Sequence, residues 1–190
     1  MEILECIKNR RSYRKFSDKK LEYDIIKELL EISVCAPTAQ MREPWGFVII
    51  QDKKELKEIS NIAKRDILEM IDDLPHFKKY EEWFRDPEYN IFYDAENLVV
   101  VYGDKSAHWY KEDCSCVTEN IILAAFSKGI GTCWIGFGEH ILNKLEIKEK
   151  YGVPENYEVV SSLIMGYISK ESKPPKRKHP IIFNGETDRG

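Results

Sequence analysis

The segment DCSCVTENIILAAFSKGIGTCWIG, residues 113–136, carries the clearest fold information in this chain of 190 residues. Its apolar residues recur at three- and four-residue spacing through Cys114, Val117 and Ile121, which predicts a helix over about 112–128. Gly129 is suited to end this helix, because glycine readily adopts the left-handed conformation found at helix C-termini. The run TCWIGF, residues 132–137, is β-prone and follows at once. A long helix that leads into a short strand indicates mixed α and β structure.

The same periodicities extend this mixed pattern over the rest of the chain. Apolar residues at helical spacing predict further helices at 2–10, 22–35, 53–73 and 139–150. Continuous apolar runs predict buried strands at 46–50, 97–102 and 159–168. These strands are too few for a doubly wound sheet. We therefore expect an α+β fold with a small central sheet flanked by helices.

The organisation of the chain predicts one domain. No internal repeat and no Ser/Gly-rich linker divides residues 1–190, and this length is typical of a single domain. The periodic pattern is lost from Lys170 onward, where the sequence becomes rich in proline and lysine. We expect residues 170–190 to form a C-terminal tail that either extends into solvent or lies across another surface.

Charge and cysteine content limit the binding partners and the cellular compartment that we expect for this protein. The net charge of −4 argues against general nucleic-acid binding. The first residues do not resemble a secretory signal peptide, and no apolar run approaches the ~18 residues that span a bilayer. Five cysteines without a framework spacing argue against a disulfide scaffold. We therefore expect a cytoplasmic protein with reduced thiols and no membrane partner.

Two basic clusters stand out in this acidic chain. NRRSYRKF, residues 9–16, contains three arginines and a lysine, and Lys176, Arg177 and Lys178 follow one another in the tail. Forked guanidinium donors suit phosphate recognition. Alternatively, the first cluster offsets the macrodipole of helix 2–10, and the second is a solvated tail. One hypothesis covers both clusters: they close on a single phosphate, if the tail folds back or wraps a partner subunit.

Other chemical signals point away from metal and nucleophile chemistry. The glycine-rich run 129–138 follows a helix, so it does not match the dinucleotide fingerprint, but it permits a backbone N–H to approach a ligand ring. Cys114 and Cys116 diverge by about 200° on a helix, and no histidine pair completes a zinc site. We predict no metal site and no catalytic side chain. The chemistry of an enzyme of this kind belongs to a cofactor.

Five segments occur in order along nearly the whole chain: RRSYRKF (10–16), APTAQMREPWGF (36–47), the segment 113–136, YGVPENYEVVSSLIMGY (151–167) and PPKRKHP (174–180). In this order they resemble the FMN-dependent nitroreductase family, whose second motif reads AP[ST]xxNxQPWxF. The resemblance is weakest at about 51–95. It implies an α+β sandwich that forms an intertwined homodimer, with the tail wrapping the partner and two FMN sites built from both subunits.

The resemblance also assigns roles to residues of this chain. It implies that the phosphate and the pyrimidine side of FMN are held by Arg10, Arg11, Ser12 and Arg14. The tail is implied to complete the phosphate cage through Lys176 and Lys178, with Arg177 as an alternative. The other subunit is implied to line the isoalloxazine with Pro37, Thr38, Ala39 and Met41. The backbone N–H groups of Ile135 and Gly136 are implied to approach flavin N5.

The function implied by the resemblance is that of an NAD(P)H oxidoreductase. It would reduce nitroaromatics, quinones or similar small-molecule oxidants by a ping-pong mechanism. Alternatives are reductive dehalogenation, ene reduction or flavin fragmentation on the same scaffold, a flavin-binding sensor or carrier with little turnover, and a flavin-free regulator that binds a phosphorylated metabolite. Two departures from the family motif bear on substrate preference, because Met41 replaces its asparagine and Glu43 its glutamine.

The segment 75–93 contains seven aromatic residues among many charges. It occupies the place where the family has a variable excursion over the active site. We hypothesise a lid that selects flat aromatic oxidants, formed from Phe77, Tyr80, Trp83, Phe84 and Tyr89. Packing in the core is the alternative role for these side chains.

Overall fold

The structure is a computed structural model that describes residues 2–170 and 173–183. Its helices are α1 (Ile3–Asn9), α2 (Tyr23–Ser33), α3 (Lys53–Glu69), α4 (Glu81–Arg85), α5 (Tyr110–Ser127), α6 (Glu139–Leu142) and α7 (Leu145–Lys150). Its strands are β1 (Trp45–Ile50), β2 (Asn97–Asp104), β3 (Ile130–Trp134) and β4 (Tyr157–Tyr167). Single 3₁₀ turns occur at Ala39–Met41, Ile71–Asp73, Lys78–Tyr80 and Gly136–Gly138.

The strands form one antiparallel sheet in the order β1-β2-β4-β3. The sheet is buried on both faces. From β2, Val99 and Val101 pack with α2 and α5 on one face, whereas Leu98 and Val100 pack with α3 and α6 on the other. Burial on both sides explains why the strands are continuous apolar runs instead of alternating ones. The predicted α+β fold with a small sheet between helices is confirmed.

Helix α5 is the central helix of one layer. Its residues Val117, Ile121 and Ala125 are fully buried. The helix ends at Ser127, two residues before Gly129, which adopts φ 74° as expected for a C-terminal stop. β3 then runs antiparallel to β4. The segment that predicted the fold thus connects a buried helix to an edge strand.

Two predicted elements differ in detail from the structure. The helix over 139–150 is divided into α6 and α7, because Lys144 is extended, with ψ 140°. At the break, the side chain of Asn143 accepts a hydrogen bond from the N–H of Val159 at 2.9 Å. The predicted strand 132–137 begins earlier, at Ile130, and its last residues enter a 3₁₀ turn instead.

The basic N-terminal segment lies along the edge of β3. The N–H of Tyr13 donates to Thr132 O at 2.9 Å, and the aromatic rings of Tyr13 and Phe16 lie against two glycines. Gly131 and Gly166 are partners across β3 and β4. A Cβ at Gly131 would lie 2.7 Å from Tyr13 Cβ, and one at Gly166 would lie 2.8 Å from Phe16 Cγ. The paired glycines therefore seat two aromatic residues that flank Arg14.

Within residues 2–170 and 173–183, no helix combines the length and the apolar character that crossing a bilayer requires.

Candidate functional site

A cavity of about 510 Å³ opens where β3 ends. Its wall is largely aromatic, with one cation and one open backbone position, and consists of Arg14, Tyr80, Trp83, Tyr93, Trp134, Ile135, Gly136 and Phe137. A Cβ built on Gly136 would meet no atom within 4 Å, so the backbone there faces open space. A flat ligand ring can therefore approach the main chain at this position.

The two predicted backbone donors differ in availability. The N–H of Ile135 already donates to Ser162 O at 2.8 Å, which continues the pairing of β3 with β4. Ser162 also donates its hydroxyl to Ile135 O at 2.7 Å. These bonds hold the backbone just before Gly136. Of the two predicted donors, the N–H of Ile135 is therefore already engaged within the sheet.

Arg14 is the cation of the cavity. Its side chain is exposed, and its guanidinium carbon lies 5.4 Å from the centre of the Tyr93 ring. It also borders a second cleft of about 480 Å³, which Tyr93 shares. Tyr93 and Asp94 have φ 53° and 55°, a conformation that is uncommon for residues other than glycine. Sequence reasoning missed Tyr93, since nothing in its spacing distinguishes it from the six other aromatics of its segment.

The remaining residues of the N-terminal cluster lie at the end of α1 and on the edge of β3. Arg10 is half-buried, and its Nε lies 3.4 Å from Glu119 Oε1 of α5. Arg11 is half-buried and Ser12 is exposed. Ser12 forms an isolated β-bridge with Thr132 of β3. The cavity wall thus includes Arg14 of this cluster but not Arg10, Arg11 or Ser12.

The aromatic segment contributes to both the core and the cavity. Phe77, Tyr80 and Phe84 lie edge-on to Phe137, with ring centres 5.2, 5.2 and 5.0 Å away. Phe84 is buried, whereas Trp83 is 48% exposed and lines the cavity. Core packing therefore accounts for part of the segment, and the cavity wall for the rest.

Lys64 fixes the end of this segment, and sequence reasoning missed it too. Its side chain is buried, and its Nζ donates to Asp86 O at 2.9 Å and to Tyr89 O at 2.6 Å. Desolvation by burial lowers the pKa of Lys64. A lysine on the apolar face of α3, between Ala63 and Ile67, is the sequence signal that could have revealed this role.

The predicted residues of the second motif lie in a loop away from this cavity wall. Pro37 and Met41 are exposed, Met41 to 86%. Gln40, Met41 and Glu43 have φ 56°, 51° and 45°. Each such conformation costs of the order of 1–3 kcal/mol and persists only where neighbouring contacts impose it.

Asp113 of α5 supplies those contacts. Its Oδ2 accepts hydrogen bonds from Thr38 Oγ1 at 2.9 Å and from the N–H of Ala39 at 3.0 Å. Thr38 Oγ1 in turn accepts from the N–H of Glu43 at 3.0 Å. Asp113 is a residue that sequence reasoning did not single out, because its partners are 74 and 75 positions away.

The buried cysteines are unsuited to act as nucleophiles. Desolvation raises the pKa of the Cys133 thiol, although the charge of Arg14 acts in the opposite direction. Burial raises the pKa of the Cys114 thiol to about 12. Both thiols therefore stay protonated at neutral pH, whereas a nucleophile needs a thiolate. All five cysteines are unpaired.

The tail cations lie outside the cavity wall. Lys176, Arg177 and Lys178 are exposed and belong to no helix or strand. Farther along, Ile181 is 80% exposed, Ile182 74% and Phe183 90%. The final predicted tail residues, 184–190, lie outside the described part of the chain.

Comparison with known proteins identifies the family. The sequence model of the Nitroreductase family matches residues 7–167. A protein of Archaeoglobus fulgidus with the provisional name NADH dehydrogenase/NAD(P)H nitroreductase is 30% identical over 175 residues, which is 90% of this chain and 87% of that protein. An iodotyrosine deiodinase of Nematostella vectensis is 24% identical over 92% of this chain and 70% of its own length. The solved structure of a nitroreductase with bound FMN from Bacteroides fragilis superposes with a TM-score of 0.78 and 30% identity, covering 99% of this chain and 98% of that one. The chain therefore belongs to the nitroreductase family.

Proposed function

We propose that this protein is an FMN-dependent NAD(P)H oxidoreductase that reduces nitroaromatics, quinones or similar electron-poor acceptors by a ping-pong mechanism. The observation that carries the proposal is the juxtaposition of Arg14 with the open backbone of Gly136 in an aromatic-walled cavity of about 510 Å³. The FMN bound to the Bacteroides fragilis nitroreductase supports FMN as the cofactor. The name of the Archaeoglobus fulgidus relative supports NAD(P)H as the reductant.

The residues present fit FMN, which has an anionic phosphate at one end and a flat ring at the other. Arg10, Arg11 and Ser12 would supply forked cationic donors and a hydroxyl for the phosphate. Gly136 leaves room for a ring beside the main chain at the other end. Arg14 follows Ser12 by two residues and lies at the cavity wall, where it would face the pyrimidine side of the ring.

When bound, FMN would accept a hydride from NAD(P)H and pass reducing equivalents to the oxidant. Arg14 would stabilise negative charge at the pyrimidine edge of the ring, which favours the reduced form. The N–H of Gly136 would orient the ring without adding a group that titrates. Trp83 and Tyr80 would exclude water from the exposed ring face and favour flat acceptors. None of the eight residues along this wall is a carboxylic acid or a histidine.

The remainder of the site would come from a second copy of the chain in a homodimer. Pro37, Thr38, Ala39 and Met41 of one copy would line the ring held by the other. Exposed apolar side chains on α1, Ile3 at 57% and Leu4 at 64%, favour such an interface, because apolar patches of this kind mark association sites.

In this proposal residues 1–190 form one domain, and residues 170–190 wrap the partner. Lys176 and Lys178, or Arg177, would then reach the partner's FMN phosphate. The exposed apolar side chains of residues 181–183 are suited to cover part of a second copy. The free cysteines favour a cytoplasmic location, where thiols stay reduced.

Reductive dehalogenation of an aromatic substrate is the second candidate function. The relative named iodotyrosine deiodinase matches 92% of this chain, and the aromatic cavity suits a halogenated phenol as well as a nitroaromatic. Ene reduction, flavin fragmentation and a carrier role predict different reactivity of the same bound cofactor.

Visible spectroscopy of the purified protein tests the proposal. We expect a yellow protein that NAD(P)H bleaches under anaerobic conditions and that a nitroaromatic or quinone recolours. Faster recolouring by an iodinated phenol, with release of iodide, would instead select dehalogenation. Bound FMN that NAD(P)H does not reduce would indicate a carrier. A protein that stays colourless with excess FMN would refute the flavin assignment.

A further inference from the structure

The loop 38–43 has an unusual backbone for its sequence. Gln40, Met41 and Glu43 are all left-handed, although none of them is glycine, asparagine or aspartate, the residues that tolerate this conformation best. Met41 at the tip is almost fully exposed. An exposed side chain such as that of Met41 contributes little to holding its backbone, so we expect the restraint on residues 38–41 to lie at the base of the loop.

Asp113 provides this restraint. Asp113 is buried, with 6% exposure, and its carboxylate accepts hydrogen bonds from two donors. One donor is the hydroxyl of Thr38, and the other is the N–H of Ala39, which is shared between Oδ1 at 3.1 Å and Oδ2 at 3.0 Å. Through Thr38, the chain of hydrogen bonds continues to the N–H of Glu43. Both ends of the left-handed stretch are therefore connected to one carboxylate on α5.

A second contact attaches the loop to the same end of the sheet. Arg42 Nη2 lies 3.3 Å from Ser106 Oγ, and Pro44 O accepts from the N–H of Asp104 at 2.8 Å. These bonds hold the end of the loop against the turn after β2, but they do not reach Thr38 or Ala39. Among the hydrogen bonds of the described residues, those of Asp113 alone connect Thr38 and Ala39 to a helix.

We propose that Asp113 is a positioning residue that holds loop 38–43 in the conformation with which it covers the isoalloxazine bound by a second copy. The inference rests on the proposed function for its ligand, but the anchoring itself does not. Asp113 acts through its hydrogen bonds to Thr38 and Ala39, which connect the loop to α5.

The alternative is that Asp113 merely stabilises α5 as an acid in its first turn. Glu112 is the matched control for this alternative, because it lies in the same first turn, is exposed and carries the same charge. A general charge effect on the helix predicts similar results for Glu112→Gln and Asp113→Asn. An anchor for the loop predicts an effect of Asp113 substitutions alone.

Amide hydrogen exchange of the flavin-free protein tests the anchor. We expect Asp113→Ala to accelerate exchange at Ala39 and Glu43 at least tenfold, with Asp113→Asn intermediate and Glu112→Gln within twofold of the unsubstituted protein. Thr38→Val should accelerate exchange at Glu43 to a similar degree, and the double variant should add little, because the two groups belong to one hydrogen-bond chain. Unchanged exchange, or independent effects of the two substitutions, would overturn the anchor. If Asp113→Ala does not fold, Asp113→Asn and Thr38→Val decide the result.

FMN titration tests the link to the site. We expect Asp113→Ala to raise the dissociation constant of FMN about tenfold and to shift the bound absorption spectrum toward that of free FMN, with Glu112→Gln unchanged. Faster exchange in the loop with unaltered FMN affinity and spectrum would overturn the positioning role. A protein that binds no FMN in any form would refute the proposed function, whereas the exchange data would still decide whether Asp113 anchors the loop.

Discussion

Substitution of Gly131 by alanine tests how the proposed phosphate-binding segment, residues 10–16, is held. The Cβ of an alanine would lie 2.7 Å from Tyr13 Cβ, 2.8 Å from its Cγ and 2.9 Å from its Cδ2. Carbon atoms pack at about 3.5–4.0 Å, so the segment that carries Arg14 must move by about 0.8–1.3 Å. Tyr13 Cβ is next to the main chain, so a rotation of the ring does not relieve the contact.

This displacement has two measurable consequences. Overpacking of this kind costs about 1–3 kcal/mol, which lowers the melting temperature by about 2–12 °C in a protein of this size. A shift of about 0.8–1.3 Å would also lengthen the proposed charged hydrogen bonds to FMN beyond useful range, and each such bond contributes roughly 1.5–3 kcal/mol. We therefore expect the dissociation constant of FMN to rise about 10- to 150-fold.

The assays are thermal unfolding of the flavin-free protein and titration of FMN followed by fluorescence. Gly166→Ala should act in the same direction, because its Cβ would lie 2.8 Å from Phe16 Cγ. Gly46→Ala is the control, since its Cβ would meet only the ring edge of Tyr157, at 3.3 Å. An FMN dissociation constant for Gly131→Ala within twofold of the unsubstituted protein would refute the argument that the glycine pair positions Arg14.

Four further substitutions extend these tests. Arg14→Ala should weaken FMN binding about 10- to 150-fold through loss of one charged hydrogen bond, and unchanged flavin content would count against its placement. Phe137→Ala removes three edge-to-face contacts and should cost about 2–3 kcal/mol in unfolding free energy, measured by urea titration, because Phe137 is half-buried. Burial raises the pKa of Tyr102 above its usual value of about 10, so the unfolded state releases this proton first and stability falls as pH rises above about 10. Tyr102→Phe should reduce that alkaline loss by up to about 1.4 kcal/mol per pH unit, while an equal alkaline loss in both proteins would contradict it. Met41→Asn should raise the melting temperature by about 1–3 °C, because asparagine tolerates the left-handed conformation better, and a decrease would show that the loop is not strained there.

Local signals predicted the elements of the fold and singled out Arg14, which lines the cavity wall. The apolar spacing in α5 and the stop at Gly129 depend only on neighbours along the chain, and both are found in the structure. The division of 139–150 into two helices was not predicted, because it depends on a hydrogen bond from Val159 to the side chain of Asn143. Such contacts join residues that are distant in sequence, and periodicity carries no information about them.

The same limit applies to the candidate site. The arginines of RRSYRKF are evident in the sequence from their charge. The packing of the neighbouring Tyr13 and Phe16 is not, because it requires Gly131 and Gly166 to be partners across two strands. The glycine-rich run suggested an open backbone, but one of the two expected donors, Ile135, is already bonded to Ser162. Sequence composition indicated which groups are present, and only the register of β3 on β4 determines which of them remain available.

The replacement of the family's asparagine by Met41 has a physical explanation in the anchored loop. At φ 51° an asparagine would stabilise its own backbone conformation, whereas a methionine does not. The loop nevertheless keeps this conformation, because Asp113 and Thr38 fix its base. The side chain at position 41 is therefore not needed to hold the backbone, and its identity can be set by the ligand that it contacts. Met41 exchanges a hydrogen-bonding amide for an exposed, polarizable thioether, a side chain suited to pack on a flat ring. The sequence departure at position 41 therefore alters the surface that this loop presents, while the anchor on α5 preserves the backbone that presents it.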